Sequence, residues 1–257
     1  MPFTAAHPMA VLPLVRWRRR LGLDATCLVI GSLAPDFEYF ARARQVSTIS
    51  HTFRGLWLWD LPATLILGVL LHAIVKWPMV LVAPAAVTRR VVTAVGAPWR
   101  TRWGPAAIAS CVVSAVLGSA SHIAWDSLTH AKGWGPRHVH ALTAPVRLPV
   151  LGPMVLHRVL QHASTVVGLA VLVVVVVRWF RRCPSVVLPA LPRTASRACV
   201  ALCVIAAVAL TTARLVGMHA TDIGDLIVGV IAGVLAGTLV ASSILFAPGQ
   251  RLARATA

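Results

Sequence analysis

Apolar runs separated by short polar or basic stretches account for most of the chain. Five of these runs are long enough to cross a bilayer as helices. They are 56–75, 106–126, 163–180, 198–216 and 223–246. The pattern therefore predicts an all-α fold: a polytopic integral membrane bundle with five long spans, in a single domain that covers residues 1–257.

The last run carries three glycines spaced four residues apart, Gly229, Gly233 and Gly237. Small residues at this spacing allow a neighbouring helix to approach closely. Glycine is also frequent in membrane helices in general. The sequence therefore leaves open whether this face packs against another helix or arises by chance.

The first forty residues hold two shorter apolar stretches, each too short to cross a bilayer alone. Between them lie four arginines, Arg16, Arg18, Arg19 and Arg20. The second stretch ends in the polar sequence APDFEYF. We expect a re-entrant helical hairpin with the arginines at its bend. A cleavable signal peptide is not expected, because the first apolar stretch precedes the basic cluster.

Composition places the chain in the membrane and not among soluble domains. It is 58% hydrophobic and 12% charged, with a mean hydropathy of +0.81, whereas a soluble domain is roughly half apolar and a quarter charged. The net charge of +17 comes from 24 basic and 7 acidic residues. The basic residues cluster between apolar runs, as juxtamembrane anchors do. We therefore expect membrane lipid as a partner and no nucleic acid; the oligomeric state stays open.

Alternating the five spans across the membrane sorts the polar residues by side. Nine of the ten histidines and six of the seven acidic residues fall on the side where the 56–75 run begins. Sixteen of the 24 basic residues fall on the other side, which the positive-inside rule makes cytoplasmic. The histidine-rich side is then expected to face outward. This orientation depends on the hairpin, because moving the four N-terminal arginines gives 12 basic residues on each side.

The strongest chemical signal is the segment GSASHIAWDSLTH at the end of the second run. His122, Asp126 and His130 are spaced four apart, so a helix places them on one face. A carboxylate near the membrane needs a partner. Metal coordination, a His–Asp hydrogen bond or exposure at the membrane surface could each supply it. Imidazole and carboxylate together suit Zn, Mn or Fe, and His130 is a further ligand or a general acid or base.

Other histidines and carboxylates share this side of the membrane and could belong to the same site. They are His7, Asp36, Glu38, His51, His138, His140, His157, His162, His219, Asp222 and Asp225. Each also has a purely structural interpretation: Asp36 as a helix stop, for example, or Asp225 at the N-terminus of the last helix. We interpret His72 as structural.

Nucleophilic and thiol chemistry have weaker support. The sequence contains no GxSxG elbow and no Walker-type phosphate loop. Its five cysteines form no CxxC pair, and four lie in or beside apolar runs. We expect them to be small core residues and not a disulfide or zinc framework.

Several of these segments together resemble a family of bacterial membrane proteins defined by a domain of unknown function, DUF4184. The matching segments are MPFTAAHP, GSLAPDFEYF, SHTFRGL, SHIAWDSLTH and LQHASTVVG. Their order is also distantly similar to that in inner-membrane proteins described as metal-dependent hydrolases. That second similarity implies a metal-site role for five residues: His7, Asp36, His51, His122 and Asp126. The chain departs from it at Glu38, which is followed by Tyr39 and not by histidine, so one ligand is missing or moved.

The sequence thus favours a membrane-embedded, metal-dependent hydrolase that acts on a lipid or a phosphodiester at the outer interface. The expected cofactor is a divalent metal, with Zn as the first candidate, and His130 and Glu38 are the candidate catalytic residues. Two alternatives stay open: a transporter or channel-like protein, and a structural membrane protein. A transporter needs polar groups through the depth of the bilayer, whereas here they lie at one end of each span.

Overall fold

The computed structural model describes residues 4–95, 104–149, 152–186, 193–218 and 223–255. This part of the chain is helical apart from one two-stranded hairpin. It divides into two compact units. The first takes in the described residues up to 36, residues 48–65 and those from 104 to 177, and the second takes in the described remainder.

The structure gives the following secondary-structure elements. The helices are α1 (Pro8–Leu21), α2 (Ala25–Gly31), α3 (Ala34–Arg42), α4 (Phe53–Val82), α5 (Ala85–Ala94), α6 (Pro105–Thr129), α7 (Trp134–His138), α8 (Leu156–Arg182), α9 (Arg193–Met218), α10 (Ile223–Ile244) and α11 (Phe246–Ala255). Strands β1 (Pro145–Leu148) and β2 (Gly152–Val155) pair antiparallel, with Pro145 opposite Val155. Helix α4 contains two π-helical segments, Leu56–Asp60 and Leu71–Val75.

Four helices in the described ranges, α4, α6, α8 and α10, are long and apolar enough to cross a membrane. They contain four of the five predicted runs. The remaining run, 198–216, lies in α9, whose apolar stretch Arg197–Ala213 is shorter than the other four by the same criterion. The structure therefore confirms a helical protein with four candidate spans, and the fifth span stays a prediction.

At the N-terminus, α1 and α2 pack together. Gly22 separates them in a left-handed conformation, with φ of 64°, which glycine adopts without a steric penalty. Asp24 caps α2, since its carboxylate accepts a hydrogen bond from the Cys27 N–H at 2.9 Å. Two consecutive packed helices therefore stand where the hairpin was predicted. Their entry into the membrane remains a prediction.

Within the first unit, α2 crosses α6 with the two backbones in direct contact. A Cβ at Gly118 would lie 2.5 Å from the Leu28 carbonyl oxygen, and one at Gly31 would lie 2.6 Å from that of Ala115. Ser119 Oγ donates to the Gly31 carbonyl at 3.0 Å. This crossing fixes the face of α6 that is turned toward the N-terminal segment.

Within the second unit, the glycine stripe of α10 packs against α9. A Cβ at Gly233 would lie 2.4 Å from Ala207 Cα, and one at Gly237 would lie 2.7 Å from Cys203 Cα. The packing interpretation of the stripe is therefore confirmed. A separate apolar cluster in this unit is built around Trp77, Val80 and Val92.

The predicted loop 127–160 has more structure than the sequence indicates. Helix α6 continues to Thr129, a short helix and the hairpin follow, and α8 begins at Leu156. Likewise α4 continues beyond residue 75 to Val82. Both differences extend helices past the predicted apolar runs, and in α4 the extension buries Trp77, Val80 and Leu81.

Candidate metal centre

Helix α6 presents His122 and Asp126 to the interior of the first unit. The exposed fraction is 0% for His122 and 6% for Asp126. His122 Nδ1 lies 2.8 Å from the carbonyl oxygen of Ser32, at the end of α2. A carbonyl can only accept, so Nδ1 carries the proton and Nε2 carries the lone pair. The crossing of α2 and α6 thus fixes the histidine in the tautomer that binds metal through Nε2.

Asp36 and His51 come from two other segments of the same unit. Asp36 lies in the first turn of α3 and is fully buried. His51 lies two residues before α4, whose first turn is capped by Thr52, with Oγ1 accepting from the Gly55 N–H at 2.9 Å. The His51 Nδ1 atom lies 3.0 Å from Ser50 Oγ, which directs the opposite nitrogen toward the carboxylates. Thr52 therefore caps α4, and the same turn orients His51.

Four ligand-type atoms converge: Asp36 Oδ1, His51 Nε2, His122 Nε2 and Asp126 Oδ2. They all lie within 4.8 Å of one another. The four separations between imidazole nitrogen and carboxylate oxygen are 3.5, 3.6, 3.6 and 3.4 Å. Hydrogen bonds of this type are about 2.7–3.2 Å long. Two ligands at tetrahedral angles on zinc, with bonds of about 2.0–2.2 Å, lie roughly 3.3–3.6 Å apart. The separations therefore match the edges of a metal coordination shell better than a hydrogen-bond network.

In the described ranges, hydrogen bonds do not account for the burial of His122 and the two carboxylates. His122 Nε2 and both oxygens of Asp36 and of Asp126 are buried without a hydrogen-bond partner there. Burying two carboxylates in this way is costly unless a cation compensates them. The four residues form a buried Asp/His group that could hold a metal ion, and their donor set fits a divalent ion.

Two further histidines contact the other oxygen of Asp126. His7 Nε2 and His130 Nδ1 each lie 3.6 Å from Asp126 Oδ1. The His7 ring stacks on the His122 ring, with centroids 3.6 Å apart and an interplanar angle of 12°. His130 follows the last residue of α6, and its Nδ1–H donates to the Asp126 carbonyl at 3.0 Å. The structure therefore gathers five of the predicted residues around a sixth, Asp126.

The pKa values of His51 and His7 are shifted in opposite directions. Burial alone would lower the pKa of His51, but the carboxylates of Asp126 and Asp36 outweigh it and raise the pKa to about 9. Burial and the neighbouring His122 lower the pKa of His7 to about 4, although Asp126 and Asp36 oppose the shift. In the metal-free protein at neutral pH, His51 is therefore protonated and His7 is neutral.

The predicted catalytic Glu38 has contacts of a different kind. It lies two positions after Asp36 in α3, about 200° further around the helix axis. Its carboxylate pairs with Arg42, with Nη2 and Oε1 2.8 Å apart, and accepts from Ser47 Oγ at 3.1 Å. The carboxylates of Asp36 and Glu38 therefore lie on opposite faces of α3 and have different neighbours. A catalytic role for Glu38 stays a prediction.

The remaining candidates have other contacts, are exposed, or lie outside the described residues. His138 stacks on Trp134, His157 Nδ1 donates to the Leu142 carbonyl, His140 and His162 are exposed, and Asp225 accepts from the Gln45 N–H at 2.7 Å. His219 and Asp222 lie outside the described residues.

Asp60 is fully buried in the first π-helical segment of α4, and the sequence analysis did not name it as a candidate. An acidic residue inside an apolar run is the signal that could have identified it.

A second group, Asp24, Cys27 and Cys111, could also hold a metal ion, since one ligand atom from each lies within 4.8 Å of the others. Asp24 already caps α2 through the Cys27 N–H, which accounts for its position. The four-residue Asp/His group lacks such an explanation and is the stronger candidate.

Comparison with known proteins gives a family but no activity. The domain of unknown function DUF4184 matches residues 1–243. No curated protein and no solved structure matches the chain. The more distant similarity to metal-dependent hydrolases therefore stays a prediction. The match extends over almost the whole sequence, and the chain belongs to the DUF4184 family.

Proposed function

We propose that this protein is a membrane-embedded, divalent-metal-dependent hydrolase whose centre is formed by Asp36, His51, His122 and Asp126. One observation carries the proposal. Two buried carboxylates and two imidazoles, drawn from three segments, surround a common point at separations of 3.4–3.6 Å. Metal bound at this centre would supply a Lewis acid and, wherever a coordination position stays open, a water of lowered pKa.

His130 is positioned to move a proton at the edge of this centre. Its side chain is 32% exposed, whereas that of Asp126 is 7% exposed. Because Nδ1–H donates to the Asp126 carbonyl, the lone pair is on Nε2, where a general base or acid can exchange a proton. We therefore assign His130, and not Glu38, as the first candidate for acid–base catalysis.

An anionic substrate at the membrane surface is favoured by the charge around the centre. The segment 131–160, which follows α6, contains four basic residues and no acidic residue. All four, Lys132, Arg137, Arg147 and Arg158, are exposed. Trp134 in the same segment is 55% exposed, as is typical of residues at the lipid headgroup level. These features favour a phosphodiester, either in a lipid headgroup or in a soluble molecule.

We propose a multi-pass topology in which α9 provides the fifth crossing. Alternation along the sequence then places the start of α4, the end of α6 and the start of α8 on one side. With the four N-terminal arginines at the bend of a re-entrant hairpin, 16 of the 24 basic residues fall on the other side, so the positive-inside rule makes the side with the centre outward-facing. The support for this topology is the order and charge of the runs alone.

The test compares His122→Ala with His162→Ala in the full chain, purified in detergent. His162 is exposed and serves as the matched control. The wild type and the control should bind metal and hydrolyse a chromogenic phosphodiester or a phospholipid in mixed micelles, and His122→Ala should lose both properties. Absence of metal from the wild type would refute the centre. Bound metal without hydrolysis of either substrate would refute the activity and leave the centre standing.

A further inference from the structure

The two carboxylate oxygens of Asp126 face different imidazoles. Oδ2 lies 3.4 Å from His122 Nε2 and 3.6 Å from His51 Nε2. Oδ1 lies 3.6 Å from His7 Nε2 and 3.6 Å from His130 Nδ1. An ion held by the four-residue group would use Oδ2, so Oδ1 and His7 would still lack a partner.

His7 is as buried as a ligand but does not belong to the four-residue group. Its exposed fraction is 5%, and within the described ranges its Nε2 has no hydrogen-bond partner. A buried imidazole nitrogen pointed at a carboxylate oxygen 3.6 Å away repeats the local geometry of the other group. Membership of the four-residue group therefore does not explain why His7, the residue before α1, is buried.

The stacking of His7 on His122 supplies that explanation. The rings are almost parallel, with centroids 3.6 Å apart, and each Nε2 faces one oxygen of Asp126. Lone pairs on parallel rings do not converge on a single ion. They lead to two neighbouring points at about the spacing of the rings. Hydrolytic two-metal sites have ions roughly 3.5–4 Å apart.

We propose that the centre binds two divalent cations bridged by Asp126. The first occupies the four-residue group, and the second is held by His7 Nε2 and Asp126 Oδ1. This inference rests on the proposed function and deepens it. Four protein ligands fill a tetrahedral shell, as in structural zinc sites, whereas a catalytic ion keeps an open position.

The second position offers the open coordination positions that the first lacks. It has two protein ligands, because His130 Nδ1–H is used by the Asp126 carbonyl. It also lies toward the partly exposed His130 side chain. Its remaining positions are available to water and to an anionic oxygen of the substrate. We therefore expect the second ion to bind more weakly than the first and to exchange more readily.

The test counts ions in the full chain, stripped with a chelator in detergent and titrated with Mn²⁺ alone. The wild type should bind two equivalents in a tighter and a weaker step, and its electron paramagnetic resonance spectrum should show a spin-coupled pair. His7→Ala should keep the tighter equivalent and show isolated Mn²⁺. The control His162→Ala should behave as the wild type does.

The outcomes separate this inference from the proposed function. One equivalent in the wild type without spin coupling would overturn the second ion and leave the first, and so would two equivalents in His7→Ala. No bound Mn²⁺ in a folded wild type would overturn both. If His7→Ala fails to fold, His7→Gln and the spectrum of the wild type itself decide the question.

Discussion

Replacing Asp126 by Asn tests the centre most directly, because this carboxylate is approached by four imidazoles at 3.4–3.6 Å. Asn keeps the shape of the side chain but removes its charge and replaces one oxygen with a nitrogen that cannot bind metal. Loss of a group that merely orients a ligand lowers metal affinity by about 10–100-fold. Loss of a ligand that serves four partners should cost at least as much.

The same change can be followed as a loss of metal-dependent stability. At a free metal concentration of about 100 times Kd, binding stabilises the folded state by about 2.7 kcal/mol. A 100-fold weaker variant at the same concentration retains about 0.4 kcal/mol. Metal should therefore raise the Tm of Asp126→Asn much less than that of the wild type. In excess chelator the difference in Tm between the two proteins should be smaller than with metal, because Asn still fills the site and only the interaction of the Asp126 charge with its neighbours is lost.

The assay measures metal content and Tm together, with and without chelator. Asp225→Asn is the matched control, since its carboxylate accepts from the Gln45 N–H and contacts no imidazole among the described residues. Lost metal with a retained fold would support Asp126 as a ligand. Unchanged metal content and an unchanged rise in Tm in Asp126→Asn would refute the reasoning, since a carboxylate outside a coordination shell gives that result.

Two further predictions follow from the packing and from the charge state of the centre. Gly118→Ala should destabilise the protein by about 1–3 kcal/mol and weaken metal binding, because the added Cβ would lie 2.5 and 2.8 Å from backbone atoms in and just after α2. The control is Gly68→Ala, whose Cβ would have nothing within 4 Å. It should leave metal affinity unchanged and either leave Tm unchanged or raise it. Because the pKa of His51 is raised to about 9, a proton competes with metal below that pH. Apparent affinity should then fall about tenfold for each pH unit below about 9, and titration calorimetry that finds a flat profile would contradict this.

Local spacing was enough to predict some of the centre. His122 and Asp126 share a face of α6 because the α-helix repeats every 3.6 residues, and their burial agrees with the cost of a lipid-facing carboxylate. No spacing relates Asp36 and His51 to α6; the alternation of the runs predicted them on the same side of the membrane, and the resemblance implied their metal-site role. Which oxygen of Asp126 each histidine faces is set by three-dimensional packing and leaves no trace in the sequence.

Glycines show the same limit. The stripe in α10 was visible because three glycines recur at one spacing. The similarly close crossing of α2 and α6 uses Gly31 and Gly118, one on each helix, so neither stands out alone. The short helix and hairpin after α6 were also missed, because their few residues carry too little periodicity to register.

The ligands of the centre come from segments about 90 residues apart in the chain, and this separation sets an order of events in biogenesis. No nascent fragment that ends before α6 contains all four residues, so an ion held by the proposed centre would be loaded only after that helix has been synthesised. Once bound, the ion would link the N-terminal segment reversibly to α6. A permanent cross-link across a loop of this length would reduce the entropy of the unfolded chain and so stabilise the folded state by about 4–5 kcal/mol. Metal supply would then control the lifetime of the protein in the membrane as well as its chemistry.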